Sequence, residues 1–247
     1  MILNEIGKVI TDAEILHRGW ISRQGFIFTG ITYPANIYDA IVIKHPQNVR
    51  CFSPVIKESS HNLEEQIELI NREKIEKAMI IAENIDFITK CPTLRYLRII
   101  PAENAGDGFD YSPLYEMPEI KSLQCSTVYG AGERFFTELD CERIIGLRDI
   151  HVTSRGYRNY EKISTLKSLG LSGSNELPDL SFLKTMKSLK TFVFNMNVKD
   201  GDLSLCTGLS YVYSERNRKH YNLKNTELPK GQYVRGNEDI EVWRRCE

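Results

Sequence analysis

From Leu94 onward the apolar positions recur as a fixed triplet, apolar-x-x-apolar-x-apolar. The copies are Leu94, Leu97, Ile99; Ile120, Leu123, Cys125; Leu147, Ile150, Val152; Leu166, Leu169, Leu171; Leu189, Phe192, Phe194; and Leu209, Val212, Ser214. Their first positions are separated by 26, 27, 19, 23 and 20 residues. The last two members of each triplet lie two apart, so on a strand, where side chains alternate between faces, both enter the same interior. The first member sits where the chain turns inward to begin the strand. One or two such matches would suit any α/β domain, whereas six in tandem predict short strands that repeat and share one core. A further strand is expected over Lys77–Ile81, where Met79, Ile81 and Asn84 fit the end of the pattern although Glu76 does not fit its start.

The segments between triplets carry a second echo: Asp110-Tyr-Ser-Pro-Leu114, Asp179-Leu-Ser-Phe-Leu183 and Asp202-Leu-Ser-Leu205, with looser copies at Asn84–Ile88 and Asn222-Leu223. Asn197 and Asn217 stand three residues after the last apolar position, and Ser174 holds that place beside Asn175. An amide there is expected to satisfy backbone groups in the turn leaving the strand. Ala102, Val128 and Arg155 occupy the place in the earlier copies. A period of about 20 to 29 residues with this triplet resembles the leucine-rich repeat, in its short, internalin-like class. The resemblance covers roughly residues 75–228. It implies an α/β fold: a solenoid of six to seven repeats, with a parallel β-sheet on the concave face and short 3₁₀ or helical segments on the convex side.

Before the repeats the pattern changes. Gly25–Tyr33, Ile37–Ile43 and Val49–Ile56 are β-rich runs broken by Pro34, Pro46 and Pro54, and read as two to four strands. Residues 63–82 fit either a helix with Asn62 as N-cap or an extended pair of strands. A solenoid end exposes an apolar cross-section, so residues 1–72 are expected to form a β-rich N-terminal cap, residues 73–230 the repeats, and residues 231–247 a C-terminal cap. Val234, Ile240, Val242 and Trp243 supply apolar side chains for that last closure.

Composition narrows the function classes. The 247 residues carry 32 basic and 33 acidic side chains, so no global field selects nucleic acid or an anionic membrane. No secretory leader is evident at Met1–Lys8 and no apolar run reaches membrane-spanning length, which leads to the expectation of a cytoplasmic protein. Six cysteines, Cys51, Cys91, Cys125, Cys141, Cys206 and Cys246, form no Cys-x-x-Cys pair and read as reduced thiols, with Cys125 pointing inward. Neither metal nor cofactor is expected. Glu103, Asp107 and Asp110 do not match a calcium loop, Gly130-Ala-Gly132 is too short for a phosphate loop, and the five histidines pair with no nucleophile. Arg216–His220 reads as a solvated basic edge.

The residues alternating with the inward ones form a grid on the predicted concave face. Its columns are Tyr96, Ser122, Asp149, Ser168, Thr191, Tyr211; then Arg98, Gln124, His151, Gly170, Val193, Tyr213; then Ile100, Ser126, Thr153, Ser172, Asn195, Glu215. Aromatic and arginine side chains dominate binding hot spots, which singles out Tyr96, Arg98, Tyr211 and Tyr213, with Gln124, Asp149, His151 and Asn195 beside them. Six strands at about 4.8 Å spacing make a patch on the order of 250 Å². A stable interface needs about 800 Å² per partner, so the long loops at 101–110 and 126–135, with Phe109, Tyr129 and Arg134, are expected to add contacts. These features point to a non-catalytic module that binds another protein, not nucleic acid or membrane. An immunity-type protein that masks a toxin and an enzyme with its site in the N-terminal region are the rival readings. Oligomeric state is not encoded in the pattern.

Overall fold

The computed structural model describes residues 20–29, 40–49, 59–102, 105, 109–117, 119–125, 139–144, 146–153, 157–172 and 176–232. They fall into two units, one running to Glu119, the other made of Ile120–Cys125 and the residues from Leu139 on. Both are built mostly of β-strands, and no described helix is long and apolar enough to cross a membrane.

In the first unit, β1 (Trp20–Arg23), β2 (Phe26–Thr29) and β3 (Ala40–His45) pair antiparallel in sequence order. From β3 the direction changes. β4 (Lys77–Ala82) and β5 (Tyr96–Pro101) add on parallel, with Ile41, Ala78 and Leu97 in one row and Ile43, Ile80 and Ile99 in the next. The strand expected at Lys77–Ile81 is therefore present. The open choice over 63–82 resolves into both elements: α1 (Leu63–Glu73) followed by β4. The helix starts where it does because Asn62 Oδ1 accepts from Glu65 N–H at 2.9 Å while the Glu65 carboxylate accepts from Asn62 N–H at 2.8 Å, a reciprocal pairing of two otherwise orphaned donors. Lys74, in the left-handed region at φ 52, ends it. The run at 49–56 lies outside the described residues beyond Val49.

The second unit carries the repeat. β6 (Ser122–Cys125), β8 (Asp149–Thr153), β10 (Ser168–Ser172), β12 (Thr191–Phe194) and β14 (Tyr211–Ser214) form a parallel sheet in that order. The register is uniform: Leu123, Ile150, Leu169, Phe192 and Val212 stand opposite one another without slip. Each of the five is fully buried. Parallel neighbours need a return path after every strand. Here it runs through short parallel pairs, β7 (Leu139–Asp140) with β9 (Tyr157–Arg158) and β11 (Glu176–Leu177) with β13 (Asn197–Val198), and then through 3₁₀ turns.

Those turns explain the aspartate echo. Asp179 accepts from Ser181 N–H at 2.6 Å and Asp202 from Ser204 N–H at 2.9 Å, each capping the 3₁₀ turn that follows, at Ser181–Lys184 and Ser204–Gly208. In the first unit Asp110 does the same for Ser112 N–H and also takes the Ser112 hydroxyl, both at 2.8 Å. Asp140 is a fourth copy, accepting from Glu142 N–H at 3.3 Å, although its neighbours Cys141 and Glu142 depart from the Leu-Ser pattern. Asn222 works differently: its Oδ1 accepts from Leu203 N–H at 2.8 Å, closing the preceding turn from outside.

The asparagine expectation holds at one position and changes at another. Asn217 Oδ1 accepts from the backbone N–H of Asn225 at 2.8 Å, as the turn role requires. Asn197 instead donates its amide to the Glu176 carboxylate at 2.6 Å, and its Oδ1 meets no donor. Because β13 directly follows β12 there, the backbone groups in question are satisfied by the β11 pairing. Ser174, Asn175, Val128 and Arg155 lie outside the described residues.

Aromatic packing joins the turns of the second unit to its sheet. Tyr160 meets Phe182 edge-on at 5.6 Å, Phe182 meets Phe192 at 6.0 Å, and Phe192 stacks on Phe194 at 4.8 Å and 15°. Burial pushes the Tyr160 hydroxyl up to about 12, with the charges of Glu161 and Cys141 adding to it.

Candidate functional site

The two units present different faces opposite their repeat cores. In the first, Val42, Met79 and Ile81 point away from the Ile80 row and are themselves buried, packed with Ile27, Val49 and Ala102. Ile100, placed by the grid on an open surface, packs against that second cluster. Tyr96 is only 5% exposed, with the Lys77 ammonium 5.8 Å from its ring centroid, and Arg98 is half-buried. Phe109 is 1% exposed and sits edge-on to Tyr111 at 4.9 Å. It is therefore a core residue, which corrects its reading as a surface anchor: the apolar ring is worth more in the interior than a loop tip offers it. Tyr129 and Arg134 lie outside the described residues.

In the second unit the outward face is polar and mixed. Its first column, Ser122, Asp149, Ser168, Thr191, Tyr211, holds register from β6 to β14. Ser168 and Thr191 are buried. The second column, Gln124, His151, Gly170, Val193, Tyr213, is in register as well, with Gln124, Val193 and Tyr213 half-buried. Asp149 and His151 occupy central positions in the two columns, on β8. Asn195 follows β12, its N–H donating to Leu171 O at 3.1 Å, and is half-buried.

At the β14 end the chain returns and closes the sheet edge. Val212 N–H donates to Pro229 O at 2.8 Å and Gly231 N–H to Ser210 O at 3.0 Å, with Lys230 bridged to Tyr211. The Lys230 ammonium donates to Val212 O at 2.6 Å and to Asn225 Oδ1 at 3.0 Å, and it lies 5.5 Å from the Tyr211 ring and 5.2 Å from the Tyr213 ring. One cation thus orients both tyrosines. Tyr211 is 9% exposed beside this clamp, and Tyr213, half-buried, is the more accessible ring. Lys230 was missed by sequence reasoning. It belongs to no triplet, and nothing in its neighbours Pro229 and Gly231 signals a return to the sheet.

Among the described residues no group of three His, Cys, Asp or Glu side chains converges as a metal site would require. Burial holds the thiols protonated: Cys91 is pushed up to about 11 and Cys141 and Cys206 to about 12. Cys125 is buried, as its triplet position predicts.

No family model matches the sequence, and no curated protein matches it. Among solved structures the chain is similar to an internalin from Listeria monocytogenes, at 16% identity and a TM-score of 0.44. The alignment covers 85% of this chain and 64% of the internalin chain, so this chain spans just under two thirds of that protein's length.

Proposed function

We propose that the chain is a leucine-rich-repeat solenoid whose role is to bind another protein, without catalysis, through the outward sheet face of its second unit. The observation that carries this reading is the in-register second column, Gln124, His151, Gly170, Val193, Tyr213, held on five parallel strands with buried Leu, Ile, Phe and Val directly beside it. A partner meeting that face meets residues whose backbone the sheet holds in register, so little backbone ordering entropy is lost on binding. Strand addition is disfavoured at the β14 edge, because Pro229–Gly231 already occupies its donors and acceptors. Recognition therefore runs through the face, with Tyr213 preset by Lys230.

Capture from native extract on the immobilised chain, followed by mass spectrometry, tests the reading when run beside Tyr213→Ala. A protein held by the wild-type chain and released at least about tenfold faster by Tyr213→Ala supports the assignment. Equal retention by both chains overturns it.

A further inference from the structure

The coil after β14 closes the sheet edge with the backbone of Pro229–Gly231 and buries Tyr221 and Leu228 against the core. Asn225, half-buried in the same coil, makes a different set of contacts. Its Oδ1 accepts from the Ser214 N–H at 3.0 Å and from the Lys230 ammonium at 3.0 Å. Two donors converge on that one atom, so the partners themselves fix which way the amide points.

Asn225 is in turn held from its own coil. Its N–H donates to Asn217 Oδ1 at 2.8 Å. The turn around it is closed by Glu227, whose N–H donates to Lys224 O at 2.9 Å while its carboxylate accepts from the Lys224 N–H at 2.6 Å. The contacts therefore run from Asn217 through Asn225 to Lys230, and end on the rings of Tyr211 and Tyr213. Of these residues Tyr213 belongs to the second column, next to Val193 on the neighbouring strand. A tyrosine on an open sheet face has several rotamers to choose from, and ordering it on binding costs affinity. An ammonium anchored by Val212 O and Asn225 Oδ1 sets the ring before a partner arrives.

We propose that the closing coil is part of the recognition site, with Asn225 a positioning residue that acts through Lys230 to hold Tyr213 for the partner protein. The proposal rests on the protein-binding reading of the same sheet. The chemistry it requires at position 225 is an acceptor oxygen that two donors can share. Asn225→Asp keeps that oxygen, whereas Asn225→Leu, of similar volume, removes it. Lys230→Met keeps the apolar stem over the rings and removes the charge.

The test measures release of the protein that the immobilised full chain retains from native extract, with each variant made in the wild-type and in the Tyr213→Ala background. The expected result is release about fivefold faster for Asn225→Leu and for Lys230→Met, and release near the wild-type rate for Asn225→Asp. In the Tyr213→Ala background none of the three adds to the loss, because the ring through which they act is gone. A merely structural role would speed release in both backgrounds alike. Proton NMR of the full chain supplies a readout that needs no partner: the Lys230 ε-methylene signals are expected upfield, shielded by the rings, and are expected to move back in Asn225→Leu. Wild-type release by Asn225→Leu and Lys230→Met, equal losses in both backgrounds, or unshielded Lys230 signals in the wild-type chain overturns the proposal, and fast release by Tyr213→Ala then leaves the protein-binding reading standing. Unchanged release by Tyr213→Ala, or no protein retained by the wild-type chain, overturns both.

Discussion

Asn222 donates its side-chain amide to Asp202 Oδ1 at 2.8 Å across twenty residues of sequence, while its Oδ1 accepts from Leu203 N–H at the same distance. The same relation recurs three turns of the repeat earlier, where Asn159 donates to Asp140 Oδ1 at 2.9 Å. Successive 3₁₀ turns are thus tied to each other by side chains as well as by the sheet. Asn222→Ala removes the Leu203 acceptor and both amide donors, and is expected to lower the urea midpoint. Asn222→Asp keeps the acceptor but faces Asp202 with a second carboxylate, so its deficit shrinks as the pH is lowered toward 4, the range where carboxylates protonate. A urea titration at two pH values distinguishes the pair.

The capping aspartates set an acid limit. The hydroxyl and amide of Ser181 hold Asp179 below the ordinary carboxylate value, and Ser204 does so for Asp202. Each depressed group contributes stability that is present above its unfolded value, near 4, and is lost as pH falls through the lower folded value. Double replacement by Asn is expected to flatten the acid limb of the unfolding midpoint between about pH 4 and pH 2 while changing neutral stability less.

The buried thiols set an alkaline one. Cys91, Cys141 and Cys206 are raised by burial, so their stabilising effect is complete below the unfolded value and is lost as pH rises through 9 toward about 11 to 12. At pH 8 all three are expected to resist iodoacetamide in the native chain and to label in urea, as read by peptide mass spectrometry. Rapid native labelling of Cys141 would contradict its placement.

Neighbouring residues on β12 separate core from face. Phe192 is fully buried against Phe182 and Phe194, so Phe192→Ala is expected to cost about 3–5 kcal/mol. Val193, half-buried on the opposite face, is expected to cost under about 1 kcal/mol on truncation to Ala. Equal losses in chemical denaturation would mean that the alternation has been misassigned.

The triplets made the second unit legible because burial acts on every strand in the same way: Leu169, Phe192 and Val212 had to share an interior, and they do. Asp179 and Asp202 were legible as turn residues because their cap is local in sequence. What escaped were long-range choices. Phe109 follows the Ile99 triplet with no apolar pattern of its own, and nothing in its neighbours tells that its ring is buried. Lys230 reaches two tyrosines seventeen or more positions away. The outward residues Met79 and Ile81 carry an inner-face composition, and that signal of a second buried cluster passes unnoticed when only one face per strand is assumed to be covered.

The central claim is the parallel, in-register stacking of Leu123, Ile150, Leu169, Phe192 and Val212. Isotope-edited NOE spectroscopy across β10, β12 and β14 tests it most directly. The account predicts amide-to-α-proton contacts of the parallel pattern linking the Leu169 row to Phe192 and the Phe192 row to Val212. Antiparallel contacts, or a register displaced by one residue, would contradict it.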